Sequence, residues 1–397
     1  MKAFLIYKED YPWDVRVEKI ALSLSKADYD VTIVCRNLDQ NARFETLDGY
    51  QIRRLPRTSS WPKSVQKLLN IPVWFNPLWL YTIYKTARES DGGILIVRDL
   101  PLVKSALLVG KLLKLKVIYD MAEVYPEMYA SSAEFSKKGW ITKLYKNSKI
   151  ALHYEDAVLP KVDQTLVMIE ESRERLLRKG IPSSKITIVS NTPPEDKFNQ
   201  DIKEHQGTTL YLVYVGFLTK LRGLDLLISG AEEFLKNQTD KDCLYIDIVG
   251  KGDSFKELQT MISDAGLETN IRLHGWLEQK DVDKLMARAN VGALTYRVCG
   301  HWNHTIPNKI FDYMLAGLPV LTTPVIPIKR IVKTTDCGVI ASDTTPQTIA
   351  RCLKELQDPN VRQNYGNNGN ASIQKLFNWS QDEQRLYKAC KDLSELG

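Results

Sequence analysis

The chain has 397 residues, 44% of them hydrophobic and 26% charged, with a formal net charge of +6. That length exceeds one ordinary core and calls for two domains, each able to bury a sizeable interior; the composition is that of a globular protein and excludes a fibrous or disordered one. Six cysteines, at positions 35, 243, 299, 337, 352 and 390, are scattered with no CxxC pair, which fits a reducing cytosol better than a disulfide framework.

MKAFLIYKED at the start holds only a short apolar run before Tyr7 and Lys8, so it reads as a first strand and not as a signal peptide. KAFLIY (2–7), VTIVC (31–35), QIRRL (51–55), GILIV (93–97), KVIYD (116–120) and TLVMI (165–169) follow as short apolar runs separated by helix-length segments. This is the pattern of a doubly wound parallel sheet. No uncharged apolar run approaches the roughly 18 residues that span a bilayer, and the expected location is cytoplasmic.

Positive charge gathers in the same half. Residues 51–150 hold 17 Lys+Arg against 7 Asp+Glu, and no acidic residue lies between Asp48 and Glu89. There Arg53, Arg54, Arg57, Lys63, Lys67, Lys85 and Arg88 interleave with Trp61, Trp74, Phe75, Trp79, Tyr81 and Tyr84, and KKGWITKLYKNSK (137–149) repeats the recipe. Aromatic and apolar residues beside lysines suit the headgroup layer of an anionic membrane, so residues 53–88 and 137–149 are the expected membrane-facing surface of a peripheral protein. The alternative is that the tryptophans pack inward and the lysines solvate the outside. No nucleic-acid partner is expected, because no DNA or RNA module accompanies the charge.

SNTPPEDKFNQDIKEHQG (190–207), rich in polar and breaker residues, divides the chain. It sets the expected domains at 1–195 and 196–377. The strand pattern then restarts with YLVYVG (211–216), LYIDIVG (244–250), IRLHG (271–275), VGALTY (291–296), LPVLTT (318–323) and GVIA (338–341). Gly216 ends the first of these, and Lys220 and Arg222 lie where it hands over to a helix, the end of a parallel sheet at which ligands bind. Gly250-Lys251-Gly252 closes the next strand, but Phe255 occupies the place of a third glycine, so the dinucleotide fingerprint fails. A Walker GxxxxGK[ST] segment is also absent. The pattern argues against nicotinamide chemistry and ATP hydrolysis and leaves a nucleotide held by basic side chains and helix ends.

PNKIFDYMLAGLPVL (307–321) is the most informative stretch. Pro307 suits a first helical turn, Gly317 and Pro319 stop the helix, and Lys309, Asp312, Tyr313 and Ala316 share one face at i, i+3, i+4 and i+7. The free N–H groups at Asn308 to Ile310 suit an anion, Lys309 adds a full charge, and Asp312 suits a pair of vicinal hydroxyls. A nucleoside diphosphate presents both. Just before it, Cys299, His301 and His304 have a C-x-H-x₂-H spacing, but a fourth zinc ligand is not evident, and plain loop residues are the alternative. Arg16, in DVRVEK, meets an acceptor phosphate or salt-bridges a neighbouring helix.

VYVGFLTKLRGLDLLI, DIVGKGD, IRLHGWLEQKDVDKLMARANVGALTY and PNKIFDYMLAGLPVL, in that order, resemble the nucleotide-binding half of family-four GT-B glycosyltransferases. DVRVEKIALSLSKADYDVTIVC, IVRDLPLV, VIYDMAEVYPE and KITIVSNTPP resemble the acceptor half of members that build bacterial surface polysaccharides. The resemblance implies an α/β GT-B fold, two facing Rossmann-like domains with the C-terminal helix 378–397 crossing back to the first. It implies a retaining, metal-independent hexosyltransferase with no cofactor, moving a sugar from a nucleoside diphosphate, UDP favoured over GDP, to a lipid-linked saccharide.

Carried over by position, Arg222 and Lys309 neutralise the diphosphate, Asp312 binds the ribose, Gly216 admits the phosphates and Trp276 borders the base. Glu123 and Glu127 position the acceptor. Three positions depart from the pattern: His304 stands for an acidic residue near the donor sugar, Phe217 for an arginine and Ala122 for a histidine. They motivate one rival reading, a non-catalytic scaffold at the membrane; a nucleotide-sugar epimerase is a second rival, because some epimerases share this architecture.

Overall fold

The computed structural model describes the chain except for residues 13, 40, 48, 58–61, 63–64, 66–75, 89, 91, 136–145, 196–203, 205 and 396–397. The chain divides into two compact units. The first comprises Met1–Met128, Tyr145–Asn191 and Gln381–Gly397; the second comprises Tyr129–Leu144 and Thr192–Ser380.

The first unit is built on an eight-stranded sheet: β1 (Lys2–Tyr7), β2 (Asp30–Cys35), β3 (Phe44–Leu47), β4 (Tyr50–Arg54), β5 (Ile94–Arg98), β6 (Lys116–Met121), β7 (Gln164–Val167) and β8 (Ile186–Ile188), in the order β3-β4-β2-β1-β5-β6-β7-β8. All pairings are parallel except β3–β4. β1 and β5 are buried nearly throughout, as strands covered on both faces must be. The two edge strands β3 and β8 are additions to the six expected. β3 reads FETL, exposed at its first three positions with two polar residues in the middle, and it lies antiparallel at the rim of the sheet, so it carries no apolar run to announce it.

The C-terminal ends of β5 and β6 carry a buried charge cluster. The guanidinium of Arg16 is 1% exposed and grips Asp120, with Nε to Oδ2 at 3.0 Å and Nη2 to Oδ1 at 2.6 Å, while Nη1 donates to the Ser190 carbonyl at 2.9 Å. Asp14 caps the Arg16 helix, Val15–Lys26, by accepting from the N–H groups of Arg16 and Val17, and it also pairs with Arg98. Burial pushes the Asp120 carboxyl up, but Arg16 and Arg98 outweigh it and hold it below the ordinary range. Arg16 is therefore not presented to an acceptor phosphate. The ion-pair alternative is the one found, with a strand residue as the partner.

Residues of the helix Trp379–Glu395 from Gln381 onward belong to this unit. Ser23 donates to Glu383 at 2.5 Å, Tyr387 donates to the Ser23 carbonyl at 2.7 Å, and Asp382 accepts from the Ser190 N–H at 3.0 Å.

The second unit has a six-stranded, all-parallel sheet of β9 (Leu210–Val215), β10 (Leu244–Val249), β11 (Ile271–Gly275), β12 (Val291–Leu294), β13 (Val320–Thr322) and β14 (Gly338–Ile340), ordered β11-β10-β9-β12-β13-β14. The order reverses direction at β9 and β12. All six correspond to the apolar runs of the sequence.

The expected membrane surface is corrected in part. Asn76 caps the helix Pro77–Ala87 and turns Trp79, Thr82, Ile83 and Thr86 inward at i, i+3, i+4 and i+7, so that Trp79 is fully buried. Arg54 is also buried, donating to Glu45 at 2.6 Å and to the carbonyls of Ala42 and Tyr11. These two residues serve the core. Tyr81 is exposed, with Lys85 over its ring at 5.9 Å. Trp61, Lys63, Lys67, Trp74, Phe75 and residues 137–145 lie outside the described residues.

Removing one member of a buried ion pair leaves an uncompensated charge, at a cost of about 3–5 kcal/mol. Arg16→Ala is expected to lower the stability of the first unit by that amount in urea titration, whereas Arg16→Met with Asp120→Leu costs markedly less; equal losses would contradict the pairing.

Candidate functional site

The strand ends of the second unit are stitched together by backbone. Gly216 N–H donates to the Val249 carbonyl at 3.0 Å, Gly250 N–H to Gly275 at 2.8 Å, Leu218 N–H to Lys251 at 3.0 Å and Ser254 N–H to Leu218 at 3.0 Å. Gly250 has φ +144, and a Cβ there would lie 1.8 Å from the Gly216 carbonyl oxygen. Glycine at 250 thus serves the approach of two loops, which accounts for a Gly-Lys-Gly segment that is not a dinucleotide fingerprint.

Arg222 occupies the turn Lys220–Gly223 after β9. Its guanidinium carbon lies 4.8 Å from the Tyr296 ring centroid and 4.5 Å from that of Trp302, and Nη1 donates to the Tyr296 hydroxyl at 2.5 Å. The turn itself is held by bonds from the β12 side: Trp302 Nε1–H and Arg297 N–H donate to the Leu221 carbonyl at 3.0 and 3.1 Å, and Thr295 donates to the Gly223 carbonyl at 3.0 Å. Gly223 has φ +63, and a Cβ on it would lie 2.0 Å from the Thr295 oxygen. Arg297 in turn pairs with Asp225 on the following helix. A cation packed against two rings gains on the order of 1 kcal/mol per ring and loses rotamer freedom in advance. Arg222 is a charge of fixed position.

The helix Lys309–Leu315 follows, with Asn308 at its cap and exposed and Ile310 buried. Lys309 Nζ lies 3.0 Å from Asp312 Oδ2, both side chains being part-exposed. The helix begins two residues later than Pro307 suggests, since Ile310 N–H returns to the Pro307 carbonyl at 3.2 Å in a tight first turn. Tyr313 is fully buried on the inner face of this helix, its hydroxyl accepting from Val215 N–H at 3.3 Å. Burial, then the neighbouring Tyr296, pushes the Tyr313 hydroxyl well up, and both Arg222 and Asp312 act on it. The charges of Arg222 and Asp312 both reach this one buried hydroxyl.

Other expected residues are dispersed around these. Lys220 pairs with Glu257 at 3.2 Å on the surface, Phe217 is 62% exposed after β9, and Trp276 is 68% exposed after β11 with Lys251 Nζ 4.9 Å from its ring. His304 donates from Nδ1 to the Gly300 carbonyl at 2.9 Å. Glu123 and Glu127 belong to the first unit, half-buried; Glu123 is one of four carboxylates whose charge keeps the pKa of Arg98 high against its burial. Among the described residues no group of three His, Cys, Asp or Glu side chains is arranged to hold a metal ion. His301 packs against Trp302 at 4.4 Å and its N–H donates to Ser131 Oγ at 3.1 Å. Tyr296 and Trp302 are residues of the candidate site that the sequence reading did not single out, and His301 entered it only through the C-x-H-x₂-H spacing; the aromatic character of the segment YRVCGHW was the available signal.

Two family models match the chain: glycosyl transferases group 1 over residues 195–372, and a glycosyl transferase 4-like domain over residues 14–192. The chain belongs to the GT-B glycosyltransferases. It is 26% identical over 185 residues to the amylovoran biosynthesis glycosyltransferase AmsK of Erwinia amylovora, covering 46% of this chain and 45% of the relative. It is 21% identical over 388 residues to an uncharacterized glycosyltransferase of Methanocaldococcus jannaschii, covering 94% and 93%. The match to AmsK spans about half the length of that relative. Sucrose-phosphate synthase from Thermosynechococcus elongatus shares the fold with a TM-score of 0.75 at 13% identity, over 100% of both chains. Anabaena HepE in complex with UDP does so with a TM-score of 0.70 at 15% identity, over 99% of this chain and 100% of that one.

Burial, with Arg222 adding repulsion, lowers the His301 pKa to about 3 from the ordinary value near 6.5. The unfolded chain takes up this proton below about pH 6.5 while the folded one does not, so the stabilisation is complete above that pH and is lost as pH falls toward 3. Against wild type, His301→Gln is expected to flatten the pH dependence of stability in this window by up to about 1.4 kcal/mol per pH unit; parallel curves would contradict a neutral buried His301.

Proposed function

We propose that this protein transfers a sugar, with retention at the anomeric carbon, from a nucleoside diphosphate to a lipid-linked saccharide during cell-surface polysaccharide synthesis. The observation that carries this reading is the seated cation: Arg222 held against both Tyr296 and Trp302 just after the carboxyl end of β9. Open parallel sheets bind ligands at that end and at the point where strand order reverses.

In this reading Arg222 and Lys309 face the diphosphate and Asp312 accepts from the ribose hydroxyls, Lys309 leaving its ion pair with Asp312 for the phosphate. Negative charge grows on the departing diphosphate as the glycosidic bond breaks, and a cation already in position lowers the energy of that state without reorganising. The departing oxygen takes the acceptor proton, so no protein base is required for the attack. Protein cations fill the place of a metal. Gly216, Phe217, Lys220, Gly250, Trp276, Asn308 and Ile310 complete the donor side; His304 serves the sugar, and Glu123 and Glu127 the acceptor.

Uridine is favoured because the HepE structure of the same fold is a complex with UDP, and guanosine is the alternative. The polysaccharide role is supported by relatives named for amylovoran and colanic acid biosynthesis. No helix among the described residues is long and apolar enough to cross a membrane, and a peripheral position on the cytoplasmic face accompanies a lipid-linked acceptor.

Calorimetric titration with UDP, GDP, CDP, ADP and TDP tests the reading. One nucleotide is expected to bind, with affinity falling by roughly tenfold or more in Lys309→Ala and in Asp312→Ala, as for loss of a charged hydrogen bond. Binding of that nucleotide undiminished in both variants would remove the donor site from this helix, and binding without turnover of any sugar nucleotide would favour the scaffold reading.

A further inference from the structure

A second recess lies in the first unit, away from the strand ends that carry its charge cluster. It runs between the helices Val103–Leu113 and Ser148–Val158 and has a volume of about 960 Å³. Its apolar lining comes from Leu107, Leu108, Leu115, Ile150 and Val158, and Gly110 brings the first helix against β6, where a Cβ would lie 2.7 Å from Val117. Tyr154 ties the two helices at one end, its hydroxyl accepting from Lys104 N–H at 2.9 Å and facing the Pro101 carbonyl at 3.4 Å.

The polar lining is almost wholly cationic. Lys104, Lys111, Lys149 and Lys161 border the recess, and all four are exposed. None of them pairs with a carboxylate among the described residues. His153 and Tyr154 add no negative charge. The one acid, Asp163, spends Oδ2 on the Val117 N–H at 2.8 Å. The acids of the second helix point elsewhere, Glu155 to Arg175 and Lys179, and Asp156 to Lys179. Leu108 and Ile150 at the lips are 43% and 45% exposed, and Leu112, one turn beyond Leu108, is 68% exposed.

We propose that this groove binds an anionic phospholipid, acyl chain along the apolar floor and phosphate among the rim lysines. The argument is charge complementarity joined to shape. The lining offers cations and hydrocarbon with almost no group to pair a peptide's donors, so it selects a molecule that is anionic at one end and apolar along the rest. The exposed leucines beside it suit the acyl layer of a membrane, where basic residues also gain from the surface potential. The inference deepens the membrane-peripheral reading above and rests on it, and it gives that reading a binding site within the described residues.

The test is flotation of the full chain with vesicles of phosphatidylglycerol mixed one to two with phosphatidylcholine, and with phosphatidylcholine alone. Wild type is expected to bind the anionic vesicles, Lys104→Ala with Lys149→Ala to bind about thirtyfold more weakly at low salt, and Leu108→Asp to lose binding. Lys354→Ala, an exposed lysine of the second unit, is expected to bind as wild type. Titration of dihexanoyl phosphatidylglycerol below its micelle concentration is expected to saturate at one site on wild type and not on Leu108→Asp.

Undiminished vesicle binding in both groove variants overturns the proposal and leaves a membrane contact elsewhere. Saturation by inorganic phosphate, or by an acidic amphipathic peptide, with none by the short-chain lipid also overturns it. UDP titration of the same variants separates the two readings: the groove stands if UDP binding persists where vesicle binding is lost, and it falls if the variants lose both together through misfolding, which thermal unfolding would reveal.

Discussion

The constraint on which the account depends is that a full positive charge must be held still at the end of a parallel sheet. A guanidinium on a free side chain loses much of its advantage to water and to its own motion. In this protein Arg222 lies over two rings, bonds to the Tyr296 hydroxyl and sits on a turn whose carbonyls accept from Trp302, Arg297 and Thr295. Three side chains and one backbone N–H from the segment after β12 thus fix one residue from the segment after β9. The neighbouring histidine pays for its burial by staying neutral, with its pKa lowered to about 3, so the seat adds no second cation to repel the first.

The first unit solves a related problem in the opposite way. Arg16 and Arg98 converge on Asp120, and Asp14 ties the helix start to Arg98. There the cations meet carboxylates and serve the fold, whereas Arg222 meets two rings and a hydroxyl. The arginines differ in the chemistry of their partners, and burial alone does not draw that difference.

Much of the architecture was legible in the sequence because buried parallel strands must be apolar. Runs such as FLIY before Lys8 and LPVLTT after Gly317 can hardly be anything else in a chain of alternating elements. The strands that escaped notice, β3 and β8, are short edge strands, and FETL in β3 has no apolar face to reveal it. Trp79 and Arg54 were read as surface because composition counts residues without knowing where they point; a cap at Asn76 decides the first and a carboxylate nine positions away decides the second.

The site was legible in part. Lys309 and Asp312 are a local pair, three residues apart on one helix, and periodicity is enough to find them. Arg222 was visible as a cation after a strand, but its seat was not. Tyr296 and Trp302 reach it from 74 and 80 positions downstream, and no local pattern encodes a contact made through the folding of a β-α-β-α-β-α-β stretch. Gly250 shows the converse: a glycine noticed for a phosphate is required by the carbonyl of Gly216.

The most direct test of the central claim is a crystal structure of the protein with UDP bound. The account predicts a diphosphate within hydrogen-bond distance of the Arg222 guanidinium and of Lys309 Nζ, the ribose hydroxyls on Asp312, and the rings of Tyr296 and Trp302 still against the arginine. A diphosphate bound elsewhere, with Arg222 unmoved against its rings and touching no ligand, would contradict it.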